Sequence, residues 1–335
     1  MILLTGATGY IGSHIWIELL KGAFKVIGID NLSNSSLESL HSIADISGET
    51  PTFIKGDIRD EEFLTDIFLK YSISHVVHLA ALKDSNESMN MKSDYFDVNV
   101  LGFAKLLKVM RAYDCKKIIF SSSAAVYGEE AISPVSEASA LKPSNYYGET
   151  KLAGERLLAE EFNRTPAISS VSLRYFNVAG WHPSGSLSES ALSKSHSLFS
   201  EIQNVIQGKK EKLSIFGDDW DTEDGTPVRD YLHVSDLVKG HLDAIRLLDI
   251  TDGLFTLNLG LGIGQSVFDV ISAYEHISGS PIPAEVVSRR VGDIGDQCWR
   301  GLARNPSNAA TYRQFPMLAN FKVLIVYLNQ NAIEV

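Results

Sequence analysis

Short apolar runs alternate with amphipathic stretches through the first half of the 335-residue chain. Runs typical of buried strands lie at residues 1–5, 25–29, 51–54, 75–79, 117–120 and 171–174. Helical spacing of apolar residues follows the first run, and further helices are predicted over 61–70, 94–113 and 146–162. This β-α-β-α alternation predicts an α/β fold, with a Rossmann-like, doubly wound parallel sheet.

The second half of the chain has a less regular pattern. It contains a serine-rich stretch at 184–200 that predicts a loop, predicted helices at 201–207 and 234–248, and a predicted strand at 255–259. We expect a Rossmann domain over residues 1–179 and a smaller α+β substrate lobe over 180–335, with some segments returning to the first domain. The apolar run at 318–328 fits either a strand or a helix.

Composition narrows the class of protein. Acidic residues outnumber basic ones, 41 against 30, and the net charge of −11 argues against a general nucleic-acid surface. The chain has two cysteines, Cys115 and Cys298, which imply no disulfide framework and fit a cytoplasmic location. No signal peptide is predicted, and no apolar stretch reaches the ~18 residues of a membrane span.

A glycine-rich loop follows the first predicted strand. Gly6, Gly9 and Gly12 have the spacing G-x-x-G-x-x-G and lead directly into a helix. The first glycine permits the sharp turn, the second a close approach to a pyrophosphate, and the third tight helix–strand packing. The amides at the helix N-terminus add donors for phosphate oxygens. The loop therefore predicts a dinucleotide site.

Polar and small residues follow the next strands. Asp30 ends the second strand and is placed to bond the adenosine ribose, which favours NAD over NADP, although an Asx turn is the alternative. Asp57, after the third strand, is placed to meet the adenine. After the fourth strand, Ala80 and Ala81 let the backbone lie against a cofactor, with Lys83 close behind.

A tyrosine–lysine pair predicts the chemistry. Tyr147 and Lys151 are four residues apart on a predicted helix and therefore share one face. A tyrosine acts as a base near neutral pH only when its pKa is lowered from about 10. The charges of Lys151 and of an oxidised nicotinamide favour the phenolate. A serine of the 121–123 run can share a proton with a substrate hydroxyl, whereas the alternative is a packed tyrosine and a surface lysine.

These residues carry a family resemblance over roughly residues 1–300. It rests on GATGYIGSH, Asp30-Asn31, Gly56-Asp57-Ile58-Arg59, SSSAAVYG, YYGETK, LRYFN, His182-Pro183-Ser184-Gly185, Ile215-Phe216-Gly217, Thr222-Glu223-Asp224-Gly225, Val228-Arg229-Asp230-Tyr231 and Arg289-Arg290-Val291-Gly292-Asp293. Together they resemble the extended short-chain dehydrogenases/reductases and, more narrowly, the UDP-glucose (UDP-galactose) 4-epimerases.

The resemblance implies a role for each matching residue. Tyr147 would be the acid/base, Lys151 would lower its pKa and bind the nicotinamide ribose, and Ser123 would bridge to the sugar 4-hydroxyl. NAD-contacting positions are Tyr10, Ile11, Asp30, Asn31, Asn34, Ser35, Asp57, Ile58, Lys83, Asn99 and Phe176; at Asn99 the neighbouring Val98 replaces a frequent asparagine. UDP-sugar positions are Lys83, Ser123, Tyr147, Asn177, Leu198, Phe216, Arg229, Arg290 and Asp293.

The implied reaction is redox-neutral 4-epimerisation through a 4-keto sugar. No metal ion is expected. The resemblance also implies a homodimer formed through the helices near 94–113 and 146–162. Arg229 and Arg290 suit the two phosphates of a UDP-sugar, although surface ion pairing with Asp230 or Asp293 is the alternative.

The chain departs from the family pattern in three places. His196-Ser197 stands where two asparagines are frequent, and one extra residue follows Asp293. If Cys298 lines the wall beside the sugar C2 group, its small side chain leaves room for an N-acetyl group, and UDP-GlcNAc/UDP-GalNAc become possible substrates. Residues 304–335 match the family poorly.

Other functions remain open at this point. Nucleotide-sugar 4,6-dehydratases need a carboxylate where this chain has Ser123-Ala124-Ala125, which argues against them. UDP-glucuronate 4-epimerase or decarboxylase is the nearer enzymatic alternative. A non-catalytic NAD-binding scaffold protein is a different class, and it would not need Tyr147 and Lys151 at helical spacing.

Overall fold

The computed structural model describes residues 1–164, 167–187, 197–290 and 293–298. The strands are β1 Ile2–Thr5, β2 Val26–Asp30, β3 Thr52–Lys55, β4 His75–His78, β5 Lys117–Ser123, β6 Ser169–Tyr175, β7 Asn177–Ala179, β8 Leu213–Phe216, β9 Val228–His233, β10 Leu254–Leu259, β11 Gly264–Ser266, β12 Ala284–Val287 and β13 Asp296–Gln297. The α-helices are α1 Tyr10–Lys21, α2 Glu38–Ser47, α3 Glu61–Lys70, α4 Ser85–Asn90, α5 Lys92–Phe96, α6 Phe103–Ala112, α7 Tyr146–Phe162, α8 Leu198–Ile206, α9 Val234–Ile250 and α10 Val267–Ser278.

Seven parallel strands form the central sheet in the order β10-β6-β5-β4-β1-β2-β3. One face is covered by a core that includes Trp16 of α1 and Leu237 of α9. The other face packs against a core that includes Leu64 of α3, Phe103 of α6 and Leu158 of α7. Burial on both faces explains the continuous apolar runs, and the predicted Rossmann-like α/β class is confirmed.

The strand β10 comes from the second half of the chain yet lies at the edge of this sheet, paired with β6. The strand β5 is longer than the predicted 117–120. It continues through the serines to Ser123, because its ladder with β6 extends to the pair Ser123 and Tyr175. All three serines therefore stand at the carboxyl end of a central strand, where ligands bind in such sheets.

The predicted helix at 94–113 is interrupted. The helix α5 gives way to a π-helical segment, Asp97–Gly102, before α6 begins. The short helix α4 was not predicted. Asp84 starts it, because its carboxylate accepts bonds from the amides of Asn86 and Glu87. Both features lie beside the cavity described below, and π segments are frequent at functional sites.

The second lobe is built on short strands. The strand β9 pairs with β7, β11 and β13, while β8 pairs with β12. Its core includes Ile202 of α8, Tyr231 of β9 and Tyr274 of α10. The predicted loop at 184–200 is wrong at its end, since Ser197 caps α8 by accepting a bond from the Ser200 amide.

Some predictions fall on residues outside the described ranges. These are His196, Val291, Gly292, Trp299 and the segment 304–335 with its apolar run. Within the described ranges, no helix combines the length and apolar character needed to cross a membrane.

Candidate active site

A cavity of about 350 Å³ opens at the carboxyl edge of the central sheet. Most of the predicted cofactor residues line it: Gly6, Gly9, Tyr10, Ile11, Gly12, Asp30, Asn31, Asn34, Asp57, Ile58, Ala80, Ala81, Lys83, Tyr147 and Lys151. The structure thus brings together residues that are spread over about 150 positions of the sequence.

The glycine loop forms a backbone cradle at one end of the cavity. Gly6 has φ +68°, which favours glycine, and a Cβ at Gly12 would lie 2.1 Å from the Gly6 carbonyl oxygen. A Cβ at Gly9, by contrast, has only the Gly6 oxygen near it, at 3.4 Å. Gly9 therefore leaves open space in front of the N-terminus of α1. This cradle fits the diphosphate of a dinucleotide.

Asp30 joins the cradle to the second strand. Its Oδ2 accepts a bond from the Thr8 amide at 3.2 Å, and its Oδ1 accepts bonds from the Leu32 amide at 2.9 Å and the Ser35 hydroxyl at 3.0 Å. The bond from Leu32 is the Asx turn that the sequence left open, and Asp30 still lines the cavity. The Ser35 hydroxyl supports the Asp30 carboxylate through its hydrogen bond, and Ser35 itself does not line the cavity.

Asp57 is held by two neighbours. Asn31 donates to its Oδ2 at 2.8 Å, and Arg59 donates through Nε to its Oδ1 at 3.0 Å. The bonds from Arg59 are the main reason that the pKa of Asp57 lies well below its usual range. Arg59 also lines the cavity and pairs with Asp97 at 2.9 Å. Arg59 was not among the predicted site residues, although it directly follows Gly56-Asp57-Ile58.

Two predicted cofactor residues have other surroundings. Asn99 is buried. Its side-chain oxygen accepts a bond from the Leu82 amide, and its side-chain nitrogen donates to the Leu82 carbonyl oxygen and, at 3.0 Å, to the Thr150 hydroxyl. Asn99 thereby fixes the loop after β4 against α7, while Val98 lines the cavity. Phe176 is 5% exposed and lies in an apolar cluster with Tyr127, outside the lining.

The proton-transfer residues meet where β5 ends and α7 begins. Asn145 caps α7 by accepting a bond from the Gly148 amide at 2.9 Å. This cap places Tyr147 in the first turn, where the nearby Ser123 side chain acts to lower the pKa of its hydroxyl. Lys151, one turn later, donates from Nζ to the Ser121 carbonyl oxygen at 2.6 Å. The predicted triad is therefore assembled.

Burial dominates the electrostatics of this triad. It raises the pKa of Tyr147 to about 12, against a lowering by the Ser123 hydrogen bond. It also lowers the pKa of Lys151 to about 7. In the protein alone, the pKa of Tyr147 thus moves opposite to the predicted direction, because desolvation opposes the charged form of each group.

Apart from Lys83, Ser123 and Tyr147, the predicted UDP-sugar residues lie on the second lobe. Arg229 on β9 donates to the Asp293 carboxylate at 2.6 Å, which is the ion pair left open by the sequence. The Arg290 guanidinium lies 3.5 Å from the Phe216 ring centroid. No carboxylate of a described residue lies within ion-pair distance of Arg290, and burial is the main cause of its lowered pKa. Arg290 therefore has donors for an anion.

The other predicted substrate residues start elements of this lobe. Asn177 begins β7 and is exposed, and Leu198 begins α8 directly after the Ser197 cap. The Asp230 carboxylate accepts bonds from the amides of Leu261 and Gly262.

The extra residue after Asp293 changes which side chain meets the catalytic strand. Gln297 on β13 donates from Nε2 to the Ala124 carbonyl oxygen at 2.8 Å. Cys298 is directed elsewhere, since a Cβ on Gly264 would lie 2.7 Å from its Sγ. Gln297, and not the proposed Cys298, therefore stands beside the end of β5. In the sequence, the extra residue after Asp293 indicated this change of position.

The fold and the cavity define a Rossmann-type dinucleotide-binding protein, with Tyr147 and Lys151 in the wall of the cavity. A family model described as the NAD dependent epimerase/dehydratase family matches residues 2–260. The chain belongs to this family, which confirms the resemblance found in the sequence.

Similar proteins agree with this assignment. The UDP-glucose 4-epimerase of Yersinia enterocolitica is 44% identical over 299 residues, which cover 89% of this chain and 88% of that protein. The UDP-glucose 4-epimerase of Bacillus subtilis is 42% identical over 293 residues, covering 88% and 86%. A crystal structure of UDP-glucose 4-epimerase from Bifidobacterium longum in complex with NAD+ and UDP superposes with a TM-score of 0.91 at 38% identity, covering 99% and 98%.

Proposed function

We propose that this protein is an NAD-dependent UDP-hexose 4-epimerase that interconverts UDP-glucose and UDP-galactose through a 4-keto intermediate. The observation that carries the proposal is that Tyr147 and Lys151 line the cavity that the glycine cradle opens, with Ser123 beside Tyr147. An acid/base beside a dinucleotide cradle suits the removal of a proton and a hydride from one alcohol carbon.

The proton transfer is assigned to three side chains. NAD, when bound, supplies the acceptor and then the donor of the hydride at C4. Tyr147, as phenolate, accepts the proton of the C4 hydroxyl and later returns it to the same oxygen. A hydrogen bond from the Ser123 hydroxyl to the Tyr147 oxygen would stabilise the phenolate, in line with the lowering effect of Ser123 on the pKa of Tyr147. The Lys151 ammonium, one turn away, adds a positive charge on the same side.

The burial that raises the pKa of Tyr147 also serves the reaction. A dry site strengthens each electrostatic interaction that stabilises the phenolate once positive charge is present. It also keeps water away from the hydride and from the 4-keto sugar. The site is therefore poorly basic in the protein alone and becomes basic only when the cofactor is held.

The part of the site that binds the UDP group of the substrate, here called the nucleotide end, is assigned to the second lobe. Arg290 and Arg229 provide forked donors for the diphosphate, and the Phe216 ring offers a flat apolar surface for a base. Asp293, Asn177 and Leu198 complete the proposed UDP-sugar site, with Lys83 between it and the cofactor. The redox-neutral cycle then needs only the rotation of the 4-keto sugar, so that hydride returns to its other face.

Proton NMR of UDP-galactose incubated with the purified protein tests the proposal. Conversion to UDP-glucose without added NAD is the expected result, because the cofactor returns to its starting state in each cycle. Retention of NAD with no conversion of UDP-galactose would contradict the proposal. Conversion of UDP-glucuronate in its place would instead identify the alternative UDP-glucuronate 4-epimerase.

A second substrate class is proposed for the same site. The side chain beside the end of β5 is Gln297, whose amide is bonded to the Ala124 carbonyl oxygen. A tyrosine at this position would narrow the site, whereas the smaller glutamine leaves space for an N-acetyl group at C2. The same NMR experiment with UDP-GalNAc is expected to show UDP-GlcNAc, which would fit a role in polysaccharide precursor supply as well as in galactose metabolism. Absence of turnover would limit the enzyme to hexoses.

We also propose a homodimer formed through α5, α6 and α7. Exposed apolar side chains along this surface support it, with Phe96 at 43% and Leu101 at 44% exposure. Light scattering should give twice the chain mass of 36.8 kDa, and Leu101→Glu should shift it to the monomer. A cytoplasmic location is proposed from the two unpaired, buried cysteines.

We further propose that the two halves of the chain bind different ligands. Residues 1–179 would hold NAD, and residues 180–335 would hold the UDP-sugar, with β10 returning to the first half.

A further inference from the structure

Three consecutive serines of β5 are contacted by three residues of α7. Lys151 donates to the Ser121 carbonyl oxygen at 2.6 Å, and Tyr147 lies beside the Ser123 side chain. Between them, the Ser122 hydroxyl donates to Oε1 of Glu155 at 2.5 Å. The residues of α7 are spaced by four, so that they lie along one face of the helix. The contacts of Lys151 and Tyr147 involve proposed catalytic residues, whereas the contact between Glu155 and Ser122 has no role in the proposed reaction.

Glu155 is fixed by a buried arginine. Arg174 on β6 donates from Nε to Oε1 at 2.9 Å and from Nη2 to Oε2 at 2.7 Å. The side chains of Arg174 and Glu155 are 4% and 10% exposed. Both carboxylate oxygens are therefore used, in the two-pronged geometry that best defines the position of a carboxylate.

The arginine is in turn fixed at its far side. Its Nη1 donates to the Tyr127 hydroxyl at 2.9 Å, and this hydroxyl donates to Oδ1 of Asn258 on β10 at 2.6 Å. Glu155 is thus tied to β5 through Ser122, and to β6 and β10 through Arg174. A buried, fully bonded group of this kind holds a single conformation, because each alternative would leave a charge unpaired.

We infer that Glu155 and Arg174 are positioning residues that set the height of α7 along β5, so that Tyr147 meets Ser123 and Lys151 meets Ser121. The inference rests on the proposed function. A displacement of about 1 Å between reacting groups costs on the order of 10²-fold in rate. Arg174 and Glu155 touch neither the cavity lining nor the catalytic hydroxyl, and they act through the position of the helix.

The same helix carries a matched control. Arg111 on α6 donates from Nη1 to both carboxylate oxygens of Glu161, each at 2.9 Å. The Glu161 side chain is 10% exposed, as Glu155 is, but Arg111 ties α7 to α6 and not to β5. Loss of this pair weakens helix packing without releasing the contacts to the serines.

The experiment replaces each pair by apolar residues of similar size. A buried ion pair exchanged as a unit often leaves stability unchanged, whereas removal of one partner leaves an unpaired charge. Glu155→Leu with Arg174→Met is expected to lower kcat for UDP-galactose at least ~10-fold with KM within about 2-fold. Glu161→Leu with Arg111→Met is expected to keep both constants within about 2-fold of wild type.

Two further readouts keep the inference testable. Ser122→Ala removes only the strand contact and leaves the ion pair in place, so it should fold and lower kcat by roughly 3–10-fold. Reductive methylation of Lys151, followed by mass spectrometry, should be faster in the Glu155/Arg174 variant than in wild type or in the control. This labelling needs no turnover, so an inactive wild type would contradict the proposed function alone.

Wild-type kcat in a folded Glu155/Arg174 variant would overturn the inference. So would equal losses of kcat in this variant and in the Glu161/Arg111 control, or unchanged labelling of Lys151.

Discussion

The catalytic end of the site and the nucleotide end are held in different ways. Tyr147, Lys151 and Ser123 lie on a 17-residue helix and a central strand, both packed in the main core. Phe216 and Arg229 lie on strands of four and six residues in the smaller lobe, and Arg290 lies outside the helices and strands of the described ranges. The catalytic end is therefore rigid, while the nucleotide end depends on a few ion pairs and ring contacts. Variants at the first should change kcat, and variants at the second should change KM.

The largest effect is expected for Tyr147→Phe, which removes the acid/base. Its kcat should fall on the order of 10³-fold, while KM and the amount of bound NAD stay near wild type. The matched control is Tyr146→Phe, because the Tyr146 ring packs near Lys92 on the outer side of α7, with Nζ 5.3 Å from its centroid. Steady-state kinetics and quantification of released NAD measure both. Near-wild-type turnover by a folded Tyr147→Phe protein would exclude Tyr147 as the acid/base.

The next effect is expected for Gly9→Ala, which tests the rigid end without touching the acid/base. The methyl group would enter the open cradle and not the core, since its nearest protein atom would be 3.4 Å away. NAD affinity should fall about 100-fold, with the melting temperature of the NAD-free protein unchanged. In Gly12→Ala the methyl would lie 2.1 Å from a carbonyl oxygen, so this control should instead destabilise the fold. Unchanged NAD content in Gly9→Ala would place the diphosphate elsewhere.

At the nucleotide end, Arg290→Met should raise KM for UDP-galactose about 30-fold with kcat nearly unchanged. The estimate corresponds to the loss of one charge-assisted contact of about 2 kcal/mol. Arg289→Met is the control, because Arg289 is bonded to Asp219 and stacked 3.9 Å from the Trp220 ring centroid. A fall in kcat with unchanged KM for Arg290→Met would break the division between the two ends.

The smallest effect concerns the pH dependence of stability. Burial lowers the pKa of Lys151 to about 7 from 10.5, so the unfolded chain binds more protons than the folded one between these values. Unfolding free energy of the NAD-free protein should therefore rise with pH, by about 1 kcal/mol between pH 7 and 8. Thermal melts should show that the stability of wild type rises with pH relative to that of Lys151→Met. A wild-type stability that falls, relative to Lys151→Met, over the same range would contradict the burial of this amine.

The local patterns of the sequence were enough for the rigid end. The glycine spacing and the Tyr147–Lys151 interval are short-range signals, because each depends on one turn and one helix. The helix bounds of α3 and α7 agree with the predicted 61–70 and 146–162 for the same reason. Family resemblance supplied the residues of the nucleotide end, which no periodicity indicated.

The features that were missed depend on distant contacts or on local capping. Gln297 reaches Ala124 across 173 positions, and Arg174 reaches Tyr127 across 47. The start of α8 was missed because a serine-rich stretch suggests a loop, whereas Ser197 serves there as a cap. The direction of the pKa of Tyr147 was missed because desolvation depends on the completed fold.

The most direct test of the account follows one atom through the reaction. UDP-galactose carrying deuterium at C4 should be converted to UDP-glucose that keeps the deuterium at C4, in ordinary water and without added NAD. Retention is expected because Tyr147 handles only the hydroxyl proton, while the hydrogen on carbon leaves and returns as hydride inside a closed site. Loss of the label to water would show that C4 is deprotonated, and it would contradict both the assigned chemistry and the role of the dinucleotide cradle.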